Sequence, residues 1–242
     1  MKIPTLQGII KRRILVNYRA EQSVIQKILP AGFRPKLHKG NAIAGICLIR
    51  LEHMRLKHTP EFVGIDSENA AHRIAVLWED ASGETKEGVY IPRRDTDSFI
   101  NSAVGGRLFP GEHHRANFAV GENGNKINFS MKSADEIASV KLAGTISKNL
   151  PENSVFASLA EASGFFEKGS LGYSVTKNGT NLDGINLEIE KWKVEALEVD
   201  FVESSFYDDE RIFPKGSIEF DHALLMRNVE HRWHGAPSFE LN

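Results

Sequence analysis

With 242 residues, 41% of them hydrophobic and 26% charged, the chain has the balance of a globular protein that can bury a substantial core without staples. Its net charge of -2 argues against a broad nucleic-acid or anionic-membrane surface, since both need clustered positive charge. No apolar run approaches the ~20 residues of a membrane helix, and the opening MKIPTLQGIIKRR lacks the apolar core of a signal peptide, so a cytoplasmic location is expected.

In chain order, Ile14 to Tyr18 reads as a strand. Residues 21–29 carry Val24, Ile25, Ile28 and Leu29 at helical spacing, with Pro30 as the stop. The aliphatic run 41–51 reads as a buried strand, and a polar stretch follows over 52–69. Residues 73–78 and 88–91 flank Ser82-Gly83-Glu84, which predicts a hairpin. Asp95 or Thr96 can cap a short helix over 98–104 closed by Gly105-Gly106. A second hairpin is expected from 115–120 and 126–131 around Gly121 to Asn125. A strand over 137–146 and a helix from Asn153 or Ser154 through Phe166 come next. Residues 171–175 and 187–199 read as extended, with a turn at Asn178-Gly179, and the chain returns through 218–220 and 223–226.

Many hairpin-linked strands, two or three short helices and no βαβ rhythm predict an α+β fold. Its frame would be a mostly antiparallel curved sheet or β-barrel, forming a single domain over 1–242.

Metal chemistry has little footing. His113 and His114 on a strand point to opposite faces, the other histidines are scattered, and there is no HExxH, cysteine cluster or EF-hand pattern. No metal and no cofactor are expected. Gly105-Gly106-Arg107 matches no phosphate loop and reads as a helix cap. The one cysteine, Cys47, lies in the apolar run 42–49 and reads as a small buried hydrophobe. The informative feature is polar density between Glu68 and Arg115, much of it at predicted strand ends, where side chains around a barrel mouth converge. Arginines there suit a carboxylate ligand, and Glu68 suits acid–base work if buried. The competing reading is a structural network of Arg93 or Arg94 with Asp95 or Asp97.

The runs SENAAHRIAV (67–76), GVYIPRRDT (88–96) and GRLFPG (106–111) resemble an uncharacterised bacterial group of the acetoacetate-decarboxylase-like superfamily. Val16 to Ala20, with Ile28-Leu29-Pro30 and Phe33, resembles that group's opening strand and helix. The resemblance implies a barrel or cone-shaped sheet around an enclosed pocket, and a homo-oligomer. In the decarboxylase a lysine within Tyr-Pro-Lys-Lys forms a Schiff base with the keto acid. The matching stretch here is Phe109-Pro110-Gly111-Glu112, so Gly111 stands at the lysine position and has no amine to offer. Lys132 and Lys141 lie on later predicted strands that leave inward orientations open, and the family's early arginine falls at Lys11, Arg12 or Arg13.

The expectation is a pocket for a small anionic or carbonyl-bearing molecule, with Glu68 catalytic and Arg94, Arg107 and His113 binding substrate. Any lyase-like chemistry would proceed without a lysine imine. The alternatives are a non-catalytic binding or sensing module, and a polar cluster serving an oligomer interface.

Overall fold

The computed structural model describes residues 4–99, 111–176 and 181–240. It is built from strands β1 (Leu6–Ala20), β2 (Arg34–Pro35), β3 (Leu37–His38), β4 (Asn41–Leu56), β5 (Ile65–Glu79) and β6 (Thr85–Thr96). These are followed by β7 (His113–Asn123), β8 (Lys126–Ser133), β9 (Ser139–Ser147), β10 (Leu171–Val175), β11 (Asn181–Ile189), β12 (Glu195–Ser204) and β13 (Ile218–Glu240). Helix α1 (Gln22–Gln26) follows β1, and α2 (Leu159–Glu167) precedes β10. The strands form one sheet in the order β11-β10-β6-β7-β8-β9-β12-β13-β1-β4-β5-β2, with β3 paired to β4.

Further pairings of β11 with β13 and of β5 with β6 close part of this sheet into a ring. The ring runs through β13, β1, β4, β5, β6, β10 and β11. Strands β7, β8, β9 and β12 make a second arc from β6 back to β13, so the barrel is partial and the curved sheet is mixed, with parallel pairs at β6–β10 and β6–β7. This is the α+β architecture expected from the hairpin-rich pattern.

The central strands are buried on both faces, which is why residues 42–49 read as a continuous apolar run rather than an alternation. On one face Ile14, Val16, Ile46, Leu48 and Ile74 pack against Ile127, Phe129 and Leu142 of the second arc. On the other, Leu15, Cys47, Ile49 and Ala75 meet Phe166 of α2 with Leu187 and Leu224. Both expected hairpins form, as β5–β6 and β7–β8.

The polar stretch 52–69 holds the end of β4, which runs on to Leu56, and the start of β5 at Ile65. Three expectations need correction. The first helix is only Gln22–Gln26. Helix α2 starts later than Asn153 or Ser154: Ser158 is its N-cap, accepting from the Glu161 amide at 3.1 Å, while Ser154 is drawn to Asp221. The extended run 187–199 divides between β11 and β12. The helix expected over 98–104 and the Asn178-Gly179 turn lie outside the described residues, apart from the first two positions of that helix.

Candidate functional site

All seven ring strands contribute to one cavity of about 90 Å³. Its apolar wall includes Ile49, Leu51, Ile91, Ile185, Leu187 and Trp233, and its polar groups include Arg13, Cys47, Asn69, Arg73, Arg94 and His113. The volume is well below the ~300–1,000 Å³ of drug-sized ligand sites, so the space suits a molecule of few heavy atoms. An adjoining hollow of about 280 Å³ shares Arg13, Gly169, Ser170 and Leu187 with it.

Three guanidiniums define the chemistry. Arg13 Nε donates to Cys47 Sγ at 3.3 Å and its guanidinium lies 5.7 Å from the Trp192 ring. Arg73 donates to Asn17 Oδ1 and lies 4.9 Å from the Phe166 ring. Arg94 Nε donates to Ser174 Oγ at 3.2 Å. Among the described residues, one nitrogen of each finds no hydrogen-bond partner: an Nη of Arg13, Nε of Arg73 and an Nη of Arg94. Among the described residues no carboxylate pairs with any of the three. Burial pulls both Arg73 and Arg94 down to about 10. Cations held in this way, with N–H groups unspent, are costly unless an anion completes them.

A buried chain positions Arg73. Asp221 Oδ1 accepts a hydrogen bond from His222 Nδ1 at 2.5 Å, leaving His222 Nε2 to accept from Asn17 Nδ2 at 3.1 Å, and Asn17 Oδ1 accepts from Arg73. Burial pushes the Asp221 carboxyl up, but bonds from His222, the Val155 amide and Ser154 outweigh it and hold it below the usual carboxylate range.

Strand parity decides which predicted residues reach the cavity. On β6, two residues, Ile91 and Pro92, oppose the single Arg73 of β5, because Tyr90 pairs with Ile74 and Arg93 with His72. This bulge puts Arg94 on the cavity side with Val89 and Ile91. Arg93 is turned the other way, into ion pairs with Asp95 at 2.8 Å and Asp135 at 2.9 Å. The structural-network alternative therefore describes Arg93, while Arg94 stands free of it. His113 sits beside Arg94 in the parallel β6–β7 register and lines the cavity; its neighbour His114 faces Asp135 at 3.1 Å. Burial, reinforced by Arg94, takes His113 down to about 3, so its ring is neutral.

Glu68 does not join them. Asn69, Ala71 and Arg73 share the cavity face of β5, so Glu68 projects from the opposite face, where its Oε2 lies 2.6 Å from Arg12. Burial pushes its carboxyl up against the pull of Arg12. Arg107 lies outside the described residues. Of Lys11, Arg12 and Arg13, only Arg13 lines the cavity. Lys132 and Lys141 do not point inward: both are exposed and paired with Glu136 and Glu203. Among the described residues no lysine lines this cavity; Lys36, in an adjoining hollow, is held 2.5 Å from Glu87. No group of three or more metal-binding side chains occurs among the described residues.

Cys47, which the apolar run 42–49 marks as a small buried hydrophobe, is buried yet lines the cavity, and Arg73 lies within the polar density between Glu68 and Arg115 but is not among the residues singled out there for binding. For Arg73 a signal existed, since a charged residue amid the apolar run 70–78 needs a reason to be there. Gly111 has φ +79°, and a Cβ there would stand 2.6 Å from Ser174 Cβ and 3.8 Å from Arg94 Nε. A side chain at this position is thus both sterically and conformationally opposed. Gly111→Ala is expected to cost about 1–3 kcal/mol, read as a lower urea midpoint with unchanged slope.

The DUF2071 family model, described as an uncharacterized conserved protein family, matches residues 10–221. No curated protein matches the chain. Among solved structures, the fold is similar to acetoacetate decarboxylase from Legionella pneumophila, with TM-score 0.63 and 12% identity over 97% of this chain and 88% of that one. An acetoacetate decarboxylase-like enzyme from Sphingomonas wittichii RW1 gives TM-score 0.62 at 12% identity, covering 100% and 94%. The enduracididine biosynthesis enzyme MppR complexed with pyruvate gives 0.60 at 10% identity, covering 99% and 90%.

Proposed function

The chain belongs to the DUF2071 family and has the acetoacetate-decarboxylase-like fold, and from that premise we propose that it binds a small carboxylate, carbonyl-bearing in its reactive form, inside the ring of strands. The observation that carries this reading is the set of three guanidiniums, Arg13, Arg73 and Arg94, each with an unspent N–H and without a carboxylate partner among the described residues, around a cavity of about 90 Å³. Guanidinium groups match a carboxylate in charge and in geometry. His113, neutral beside Arg94, adds a polar contact, and the apolar wall accepts a short carbon chain. The likeness to MppR, which was solved with pyruvate, supports a ligand of this size.

Lyase-like chemistry in this cavity would rest on the guanidinium N–H groups, which stabilise negative charge developing on a carbonyl oxygen. A lysine imine has no support, since Gly111 carries no amine and the cavity-lining residues described include no lysine.

Thermal unfolding with acetate, pyruvate and acetoacetate, against acetone and acetamide as neutral controls, tests the reading. A carboxylate at a hundred times its Kd adds about 2.7 kcal/mol, which raises the unfolding temperature of a chain this size by about 5 °C or more. The neutral controls should give no shift, and equal shifts from both groups would sink the proposal. Borohydride added to the protein with acetoacetate should leave no mass adduct on any lysine. An adduct would instead reveal a relocated amine nucleophile.

A further inference from the structure

Cys47 has a setting that its apolar sequence context conceals. On β4 it pairs with Leu15 of β1 and Ala71 of β5, and the small Ala71 leaves room beside the sulfur. Arg13 pairs with Ile49 and Arg73 with Gly45, each two residues from Cys47 along β4, so the two guanidinium side chains flank the thiol diagonally. Arg13 Nε donates to the sulfur at 3.3 Å. Cys47 lines the cavity, as do Arg13, Arg73 and Arg94. Arg73 supplies an independent sign of a ligand: it is only 4% exposed, yet its Nε has no partner among the described residues.

We propose that Cys47 is the nucleophile of this cavity, forming a reversible covalent adduct with the carbonyl carbon of a small oxo acid whose carboxylate the arginines hold. This rests on the carboxylate-binding reading above. The sulfur–carbon bond forms as the carbonyl π pair moves onto oxygen, and the thiol proton ends on that oxygen. The product is a hemithioketal, nothing is oxidised or reduced, and no co-reactant is needed. The unspent N–H groups of Arg13 and Arg94 stabilise the oxygen as it gains charge. The thiol thus supplies a carbonyl-directed nucleophile in a cavity whose described lining residues include no lysine.

Alkylation of the folded protein by iodoacetate and by iodoacetamide, followed by mass spectrometry and normalised to each reagent's rate with glutathione, tests this directly. In both reactions sulfur displaces iodide and the thiol proton goes to solvent. Because Cys47 is the only cysteine, all thiol labelling reports on it. Arginine-guided delivery should favour the anionic reagent on the order of tenfold. Pyruvate should protect, and [2-13C]pyruvate should show a tetrahedral carbon signal that Cys47→Ser abolishes. A preference for iodoacetamide, or labelling no faster than in urea-unfolded chain, overturns the proposal. If Cys47→Ser keeps the carboxylate-induced thermal shift while the wild type shows neither labelling preference nor tetrahedral signal, binding stands and the nucleophile falls. If the thermal shift is also missing, both fall.

Discussion

Lowering the pH from 7 to 5 should cost the fold about 4 kcal/mol through His72 and His231 alone. Both are buried, and desolvation takes His72 from 6.5 to about 3 and His231 from 6.5 to about 4. Arg93 reinforces the first shift and Arg13 the second. The folded state therefore holds both rings neutral while the unfolded chain protonates them as pH falls through 6.5. Their contribution is fully present above 6.5, erodes as pH falls, and levels off near the folded values of 3 to 4. At about 1.36 kcal/mol per pH unit per group, the 1.5 units from 6.5 to 5 remove about 2 kcal/mol for each histidine. His113 and His222 shift the same way and add to the loss. Carboxylates held low, such as Asp135 at about 2, lose their contribution only below the ordinary aspartate value of 3.8, outside this window.

Against a typical total of about 5–15 kcal/mol, such a loss brings the protein close to unfolding at pH 5. Urea midpoints at pH 7, 6 and 5 measure it. His72, packed against Phe206 and Tyr207 with no hydrogen bond to either ring nitrogen among the described residues, is the cleanest position to alter. His72→Phe should remove about 2 kcal/mol of the acid-linked loss while leaving pH 7 stability nearly unchanged. A flat profile between pH 6.5 and 5 would show that these rings are solvated in the folded state.

Local sequence stops being informative where a residue's partner lies far along the chain. Turn chemistry is local, so the Ser82-Gly83-Glu84 hairpin was legible: Gly83 takes φ +81° and Asp80 accepts from the Ser82 and Glu84 amides. The start of α2 was less so: the sequence points to Asn153 or Ser154, but Ser154 is engaged by a distant partner, Asp221, and Ser158 caps the helix. Site residues depend on register. Glu68 and Asn69 are adjacent, as are Arg93 and Arg94, and one step moves a side chain to the other face of the sheet. A bulge against Arg73 sends Arg94 inward, and the alternation of β5 sends Glu68 outward. Cys47 gains its arginine neighbours only through the pairing of β4 with both β1 and β5, whose sequence separation no local pattern encodes.

Arg94→Met should raise the unfolding temperature of the ligand-free protein and abolish its response to small carboxylates. Burial draws the Arg94 guanidinium down to about 10, which corresponds to a penalty of about 3 kcal/mol on its charged form in the fold. Its one bond among the described residues, Nε to Ser174 Oγ, returns about 1 kcal/mol. Methionine keeps a flexible apolar stem in the same space without the charge, so a net gain of about 2 kcal/mol is expected. A residue retained at that cost is explained by an anion that repays it on binding, when the unspent Nη finds its acceptor and the charge its counterion. Stability and ligand response must therefore move in opposite directions in this variant. If Arg94→Met instead lowers stability and leaves the carboxylate response intact, Arg94 is a structural arginine and the binding end of the cavity lies elsewhere, with Arg13 and Arg73.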